Sequence, residues 1–253
     1  MSELLRVDGV RKSYGAIEVL RGVSLSVNRA EVFAIIGRSG SGKSTLLRAL
    51  AGLDRDVAGH GRVDVPGKVS VVFQDSRLLP WKRVLDNVVF GLRDKDAAER
   101  GRVALAEVGL EGRERAWPHE LSGGEQQRAA LARSLVRDPE LLLADEPFGA
   151  LDALTRIRMH VLLRTLCEAH KPAVLLVTHD VDEAIVLADR VIVLDDGVVA
   201  RDIRVDLAGR RSPADPVFAA LRAQLLAELG VEDDSVATLP RPARPHYDRL
   251  AAS

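Results

Sequence analysis

The chain has 253 residues, of which 47% are hydrophobic and 29% charged, the ordinary balance of a globular protein. That balance excludes a wholly disordered, collagen-like or multi-span membrane chain, and a net charge of -1 argues against a globally basic nucleic-acid binder. One cysteine, Cys167, excludes an intrachain disulfide and a cysteine-rich zinc site, as expected of a reducing compartment.

Leu4–Ser13 and Ile17–Val27 alternate apolar and polar residues on either side of Tyr14, Gly15 and Ala16, which predicts two half-buried strands. Glu31–Ile36 is a short apolar run meeting Gly37, as a buried central strand would. Ser44–Ala51 has helical spacing and stops at Gly52. Val69–Phe73 predicts a second buried strand, and residues 84–118 read as short helices punctuated by glycines. Glu125–Val136 is amphipathic, with Pro139 just past its end. Leu141–Ala144, Ala173–Val177 and Val191–Leu194 are further apolar strands, separated by helical patterns at Ala153–Ala169 and Val181–Ala188. Val198–Leu207 predicts one more strand, and Asp215–Leu229 a helix ending at Gly230.

Strands alternating with helices predict an α/β fold with a mostly parallel sheet. The stretch 75–137 interrupts that alternation and reads as a helical insertion. The expected organisation is one domain over 1–231 and a disordered tail over 232–253, which is rich in Pro, Arg and Asp and lacks periodicity. No apolar run approaches the ~18–20 residues needed to cross a bilayer. The N-terminus lacks the apolar core of a signal peptide. The chain is therefore expected in the cytoplasm unless a partner carries it to a membrane.

Gly37, Arg38, Ser39, Gly40, Ser41, Gly42, Lys43, Ser44 and Thr45 match G-x-x-x-x-G-K-[ST] between a predicted strand and a predicted helix. Chance supplies about 0.003 such matches in a chain of this composition. Glycines let backbone N–H groups turn inward around phosphates, and the following helix adds its positive end. Lys43 would reach the β- and γ-phosphates, and the Ser44 hydroxyl would ligate Mg²⁺. Downstream, Leu141–Ala144 ends in Asp145 and Glu146. By itself an apolar run ending in two acids is a plain strand end with solvated carboxylates. In one sheet with a phosphate loop, Asp145 would hold Mg²⁺ through water and Glu146 would polarise the attacking water.

Leu121, Ser122, Gly123, Gly124 and Glu125, followed by Gln126-Gln127-Arg128, decide among phosphate-loop families. With residues 145–152 (DEPFGALD) and 177–180 (VTHD), they make residues 4–205 resemble the ATP-binding subunits of ABC transporters. The resemblance implies a P-loop NTPase fold of the ABC type, with an N-terminal antiparallel β subdomain, a mostly parallel sheet and a helical insertion. It implies ATP and Mg²⁺ as cofactors and hydrolysis coupled to transport. Ser122 is a good helix cap, and Gly123 and Gly124 leave the first N–H groups uncovered. In the family this signature closes on ATP held by a second copy, so that two ATPs lie in a head-to-tail homodimer. Gln74 matches a residue that senses Mg²⁺ and the γ-phosphate, although a lone glutamine is more often a surface residue. His179 matches a histidine that contacts the γ-phosphate, although a histidine after a strand is often structural. Asp152 matches the loop crossing the dimer interface. Tyr14 matches the aromatic that stacks on adenine, although a strand-end tyrosine also packs. Glu125 departs from the family's usual glutamine and places a negative charge near the bound nucleotide.

The implied partners are two membrane permease subunits and, indirectly, a periplasmic solute-binding protein, with no nucleic acid. The implied location is the cytoplasmic face of the inner membrane, as a peripheral subunit. Gln74–Arg93 is the expected permease-facing stretch, in which Leu78, Leu79 and Trp81 form either an apolar socket or part of an internal core. This stretch and residues 145–156 are similar to the nitrate, sulfonate and taurine importer group, and Asp195–Val231 looks most like aliphatic-sulfonate importers. Import of nitrate, taurine or another small solute is the alternative. A soluble ABC ATPase unconnected with transport is another, though it would normally show a long coiled coil or two cassettes.

Overall fold

A computed structural model describes residues 3–231, except 55, 208 and 210. The tail expected over 232–253 lies outside the described residues.

The chain starts as a long antiparallel hairpin, β1 (Glu3–Tyr14) and β2 (Ile17–Asn28). β3 (Val32–Ile36) follows and leads through the phosphate loop into α1 (Lys43–Leu50). β4 (Ala58–Asp64) returns to pair antiparallel with β1, closing a three-stranded sheet in the order β2-β1-β4. β4 has no counterpart in the apolar pattern because it is exposed except for half-buried Val63. Its register comes from the backbone ladder, which composition does not display.

β5 (Val69–Val72) precedes three helices, α2 (Val84–Val88), α3 (Ala97–Glu107) and α4 (Gly123–Leu135), with a short 3₁₀ turn over Pro118–Glu120. The remaining elements are β6 (Leu141–Asp145), α5 (Ala153–His170), β7 (Ala173–Val177), α6 (Val181–Leu187), β8 (Arg190–Asp195), β9 (Val198–Arg204) and α7 (Pro216–Glu228). The second sheet runs β5-β6-β7-β3-β8-β9, parallel except for the β8–β9 hairpin.

Both faces of this sheet are covered. Phe33, Ile35, Leu143 and Leu175 pack with the hairpin and α1, while Ala34, Ile36, Leu142 and Leu176 pack against the helices of the other face. Alternate residues point to opposite faces, so strands buried on both sides read as unbroken apolar runs. β3 lies between β7 and β8, where the order of connection reverses. A crevice forms outside the carboxyl ends of the strands at such a switch point. β3, β5, β6 and β7 all end there, and each delivers a candidate residue.

Candidate functional site

The phosphate loop fills the crevice beyond β3. Gly42 caps α1 in the left-handed region, at φ 101. A Cβ on Gly37 would lie 2.2 Å from the Leu194 carbonyl oxygen and 2.6 Å from Ser41 Oγ, so only glycine fits. Lys43 is 8% exposed, and its Nζ donates to the carbonyls of Gly37 (2.7 Å) and Arg38 (2.9 Å). Two of its three donors are thus taken, and the third remains for an anion. Burial pulls its pKa down, and the nearby charges of Glu146 and Asp145 oppose that. Ser44 Oγ donates to Asp145 Oδ1 at 3.3 Å. The buried Ser41 Oγ has no hydrogen-bond partner among the described residues.

A cavity of about 520 Å³ opens here, walled by Gly37, Ser39, Gly40 and residues 42–45 of the loop, with Glu146, His179 and Val19 of β2. Arg38 is in the loop but not in this wall: its Nε donates to the Leu229 carbonyl beyond α7, at 2.8 Å. Tyr14, at the end of β1, is 39% exposed and also lies outside the wall.

Asp145 closes β6. Burial raises its pKa, the Ser44 bond pulls it the other way, and the charge of Glu146 raises it further. Glu146 has a left-handed backbone, φ 46, held by its N–H to the Val177 carbonyl (2.9 Å) and by Gly149 N–H to its own carbonyl (3.1 Å). Its Oε2 lies 3.1 Å from His179 Nδ1. A Cβ placed on Gly149 would come within 3.3 Å of Gln74 Nε2 and 3.7 Å of Glu146 Oε2. Gln74, Glu146 and His179 therefore form one cluster, although they leave three different strands.

Two residues behind the cluster went unassigned in the sequence. Glu183 is buried on α6 and accepts from the Thr178 hydroxyl, with His160 Nε2 3.2 Å from its other oxygen. This anchors the residue before His179. Gln127 is buried on α4 and reaches both Phe73 and Pro147. The available signal was a polar residue on the apolar face of an amphipathic helix.

The signature occupies a separate place. Ser122 caps α4, its Oγ accepting from Glu125 N–H at 3.3 Å. Glu125 Oε2 accepts from the Ser122 N–H and hydroxyl, both at 2.9 Å, and Oε1 lies 3.3 Å from Arg113. These contacts, the Ser122 N–H first, hold the Glu125 carboxyl below its usual pKa. Leu121 is buried and anchors the segment. Asp152 caps α5, accepting from Leu154 and Thr155 N–H at 3.1 Å each. Hydrogen bonding, with Thr155 foremost, lowers its pKa as well. Residues 122–125 and Asp152 line a second cavity of about 850 Å³ between the end of α3, the start of α4 and α5. The two cavities share no residue.

A glycine-lined loop between a parallel strand and a helix, with paired carboxylates on a nearby strand, defines a phosphate-loop nucleotide site. A profile of the ABC transporter family matches residues 20–149. The aliphatic sulfonates import ATP-binding protein SsuB 2 of Mesorhizobium japonicum is 66% identical over 229 residues, covering 90% of this chain and 92% of that one. The protein of the same name from Nocardia farcinica is also 66% identical, covering 90% and 95%. A solved dimer of the ATP-binding cassette MJ0796, in a post-hydrolysis state bound to ADP and Pi, matches with a TM-score of 0.69 at 31% identity, covering 81% of this chain and 100% of that one. The chain belongs to the ABC transporter family, as an ATP-binding domain.

Proposed function

We propose that the chain is the ATP-hydrolysing subunit of an importer for aliphatic sulfonates, working with a separate membrane permease. The observation that carries the reading is the separation of two anion-type loops into two cavities. A phosphate loop with its carboxylates faces one, and the signature with Asp152 faces the other. One subunit thus offers half of each of two ATP sites, and a head-to-tail pair of copies completes both. The dimeric ADP- and Pi-bound relative supports that arrangement.

Lys43 and the loop N–H groups hold the β- and γ-phosphates, and the exposed Tyr14 ring stacks on adenine beyond that cavity. Ser44 and Gln74, with Asp145 through water, offer hard oxygen donors that suit Mg²⁺. That ion supplies charge neutralisation at the phosphates. Ionisation of Asp145, resisted by burial, is favoured once a cation sits beside it. Glu146 accepts a proton from water as the water oxygen bonds to the γ-phosphorus. The bond from that phosphorus to the bridging oxygen breaks, releasing ADP and phosphate. His179, oriented through Glu146, holds the γ-phosphate, and Ser122 to Gly124 of the other copy close over it.

Gln74–Arg93 meets the permease in this reading. Trp81 is 70% exposed, and buried Asn87 ties the carbonyls of Leu79, Lys82 and Arg83 on either side of it in the chain. No helix among the described residues is long and apolar enough to cross a membrane. The permease therefore holds the subunit at the cytoplasmic face of the inner membrane, and a periplasmic binding protein delivers the solute. The sulfonate assignment rests on the names of the relatives. Introduced into a bacterium lacking its own sulfonate-import ATPase, the gene should restore growth on an alkanesulfonate as sole sulfur source, and the Glu146→Gln variant should not. Restored uptake of taurine or nitrate alone would move the assignment to those solutes.

A further inference from the structure

We propose that Gln127 is a positioning residue for hydrolysis: its buried side-chain amide ties the Phe73 carbonyl, just before Gln74, to the Pro147 carbonyl, just past Glu146. The inference rests on the roles given above to Gln74 and Glu146.

Gln127 lies in the second turn of α4 and is 4% exposed. Its Nε2 donates to the Phe73 carbonyl at 2.8 Å and to the Pro147 carbonyl at 2.7 Å, which uses both N–H bonds. Its neighbours on the buried face of α4 are Ala130, Leu131, Ser134 and Leu135. A hydrocarbon side chain would pack there without the cost of burying an amide. The amide instead satisfies two carbonyls that no sheet ladder reaches. β5 and β6 pair from Val69↔Leu141 to Val72↔Ala144, and the ladder stops there. Phe73–Gln74 and Glu146–Pro147 then leave the sheet side by side.

The other side-chain hydrogen bonds from α4 to this edge of the sheet are one-sided. Arg133 donates to the Ser76 and Arg77 carbonyls at 2.7 and 2.8 Å, and Ser134 Oγ lies 3.4 Å from the Val71 carbonyl. These fasten the helix to the β5 side, whereas Gln127 spans to the β6 side too. The span matters because Glu146 holds a left-handed backbone. A non-glycine residue stays in that region only where its surroundings over-determine it. The Pro147 carbonyl is one peptide further along, and fixing it helps fix the Glu146 carboxylate. Since α4 begins at the signature, any shift of the helix is transmitted to both hydrolytic groups together.

The test uses the purified full chain and its own ATPase activity. Gln127→Met keeps length and loses both donors. It should lower kcat by about 10- to 100-fold, as misplacement of a reacting group does, and leave KM for ATP within about 2-fold. Ser134→Ala, which loosens the same helix on the β5 side only, should lower the melting temperature without that loss in kcat. In a Glu146→Gln background, Gln127→Met should lower the residual rate by clearly less than in the wild type, because Glu146, one of the two groups it positions, is already gone. A folded Gln127→Met chain with wild-type kcat overturns the proposal. So does an equal loss in both backgrounds, which marks general loosening. Should Gln127→Met not fold, the unsubstituted chain decides: the Gln127 side-chain amide protons should exchange at least about ten-fold more slowly than those of exposed Gln224. Equal exchange overturns the strut. Wild-type turnover in Glu146→Gln alone would instead remove the underlying reading, whatever Gln127 does.

Discussion

At the phosphate loop, Gly37 is packed against the Leu194 carbonyl, Lys43 is buried and donates two hydrogen bonds to its own loop, and Ser44 is hydrogen-bonded to Asp145. At the signature, Ser122 and Gly123 are exposed and the turn is held by a local capping box with Glu125. Both regions use glycines and the N-terminus of a helix. The difference lies in what surrounds them. The first is built into the core of the subunit, while the second leaves Ser122 and Gly123 exposed in the wall of its own cavity. A group buried in the first is shaped by the subunit's own core, and a group exposed in the second is open to solvent and to whatever the proposed pairing brings against it.

The sharpest break of this comparison is at Glu146. Glu146→Gln should lower steady-state turnover by about 10²- to 10⁴-fold, the usual worth of a positioned base, with ATP affinity nearly unchanged. The variant should collect as an ATP-bound dimer on gel filtration. Turnover like the wild type would remove Glu146 from the chemistry.

Next comes a mixed dimer in that background, one copy carrying Lys43→Ala and the other Ser122→Arg. If the two loops meet across an interface, one composite site carries both defects and the other neither. One ATP should then be trapped per mixed dimer and none by either homodimer. No ATP trapped, with the mixed dimer demonstrated separately, would mean that the cavities do not pair.

A smaller effect is expected from Trp81→Ala. An exposed indole should cost under about 0.5 kcal/mol of stability, against ~3–5 kcal/mol for a core aromatic. Thermal melts of the isolated subunit measure this directly, and a large drop would place Trp81 in the core of the helical insertion after all.

The smallest effect concerns pH. The Glu125 carboxyl titrates below its ordinary value of 4.5 in the folded chain. Its ionised form therefore stabilises the fold above that value, and the contribution is lost as pH falls through the depressed folded pKa. The group is half-buried at the surface and screened by solvent, so the contribution is under about 0.5 kcal/mol. Glu125→Gln keeps the capping geometry and should flatten the acid limb of stability against pH. Urea melts at neutral pH and below pH 4.5 compare the two chains. An unchanged acid limb would show that the Ser122 and Arg113 contacts do not depend on the charge.

Much of the fold was readable because its physics is local. Apolar runs became central strands, since a strand covered on both faces has no polar side to show. α4 begins at Gly123, two residues before the amphipathic pattern, because the Ser122 cap admits glycines into the first turn. β4 could not be read, because an exposed edge strand is specified by its partner's backbone and not by its own side chains. Arg38 belongs to the phosphate-loop motif, yet its side chain is taken by the far end of α7. Only a contact between residues 191 positions apart decides that.

What the sequence determined by itself is the chemistry of each loop. Glycine spacing sets which backbone groups can turn inward, and a lysine and serine after it set the charge and the hydroxyl. What the tertiary structure alone decided is which of these groups meet. Gln74, Glu146 and His179 are far apart in the chain and adjacent in space, because three parallel strands end at one edge of the sheet. Ser122 and Asp152 went to a different cavity, because the helices carrying them pack on the face of that sheet opposite the hairpin. Side-chain type is inherited from the codon, but proximity is set by the register of strands and the packing of helices.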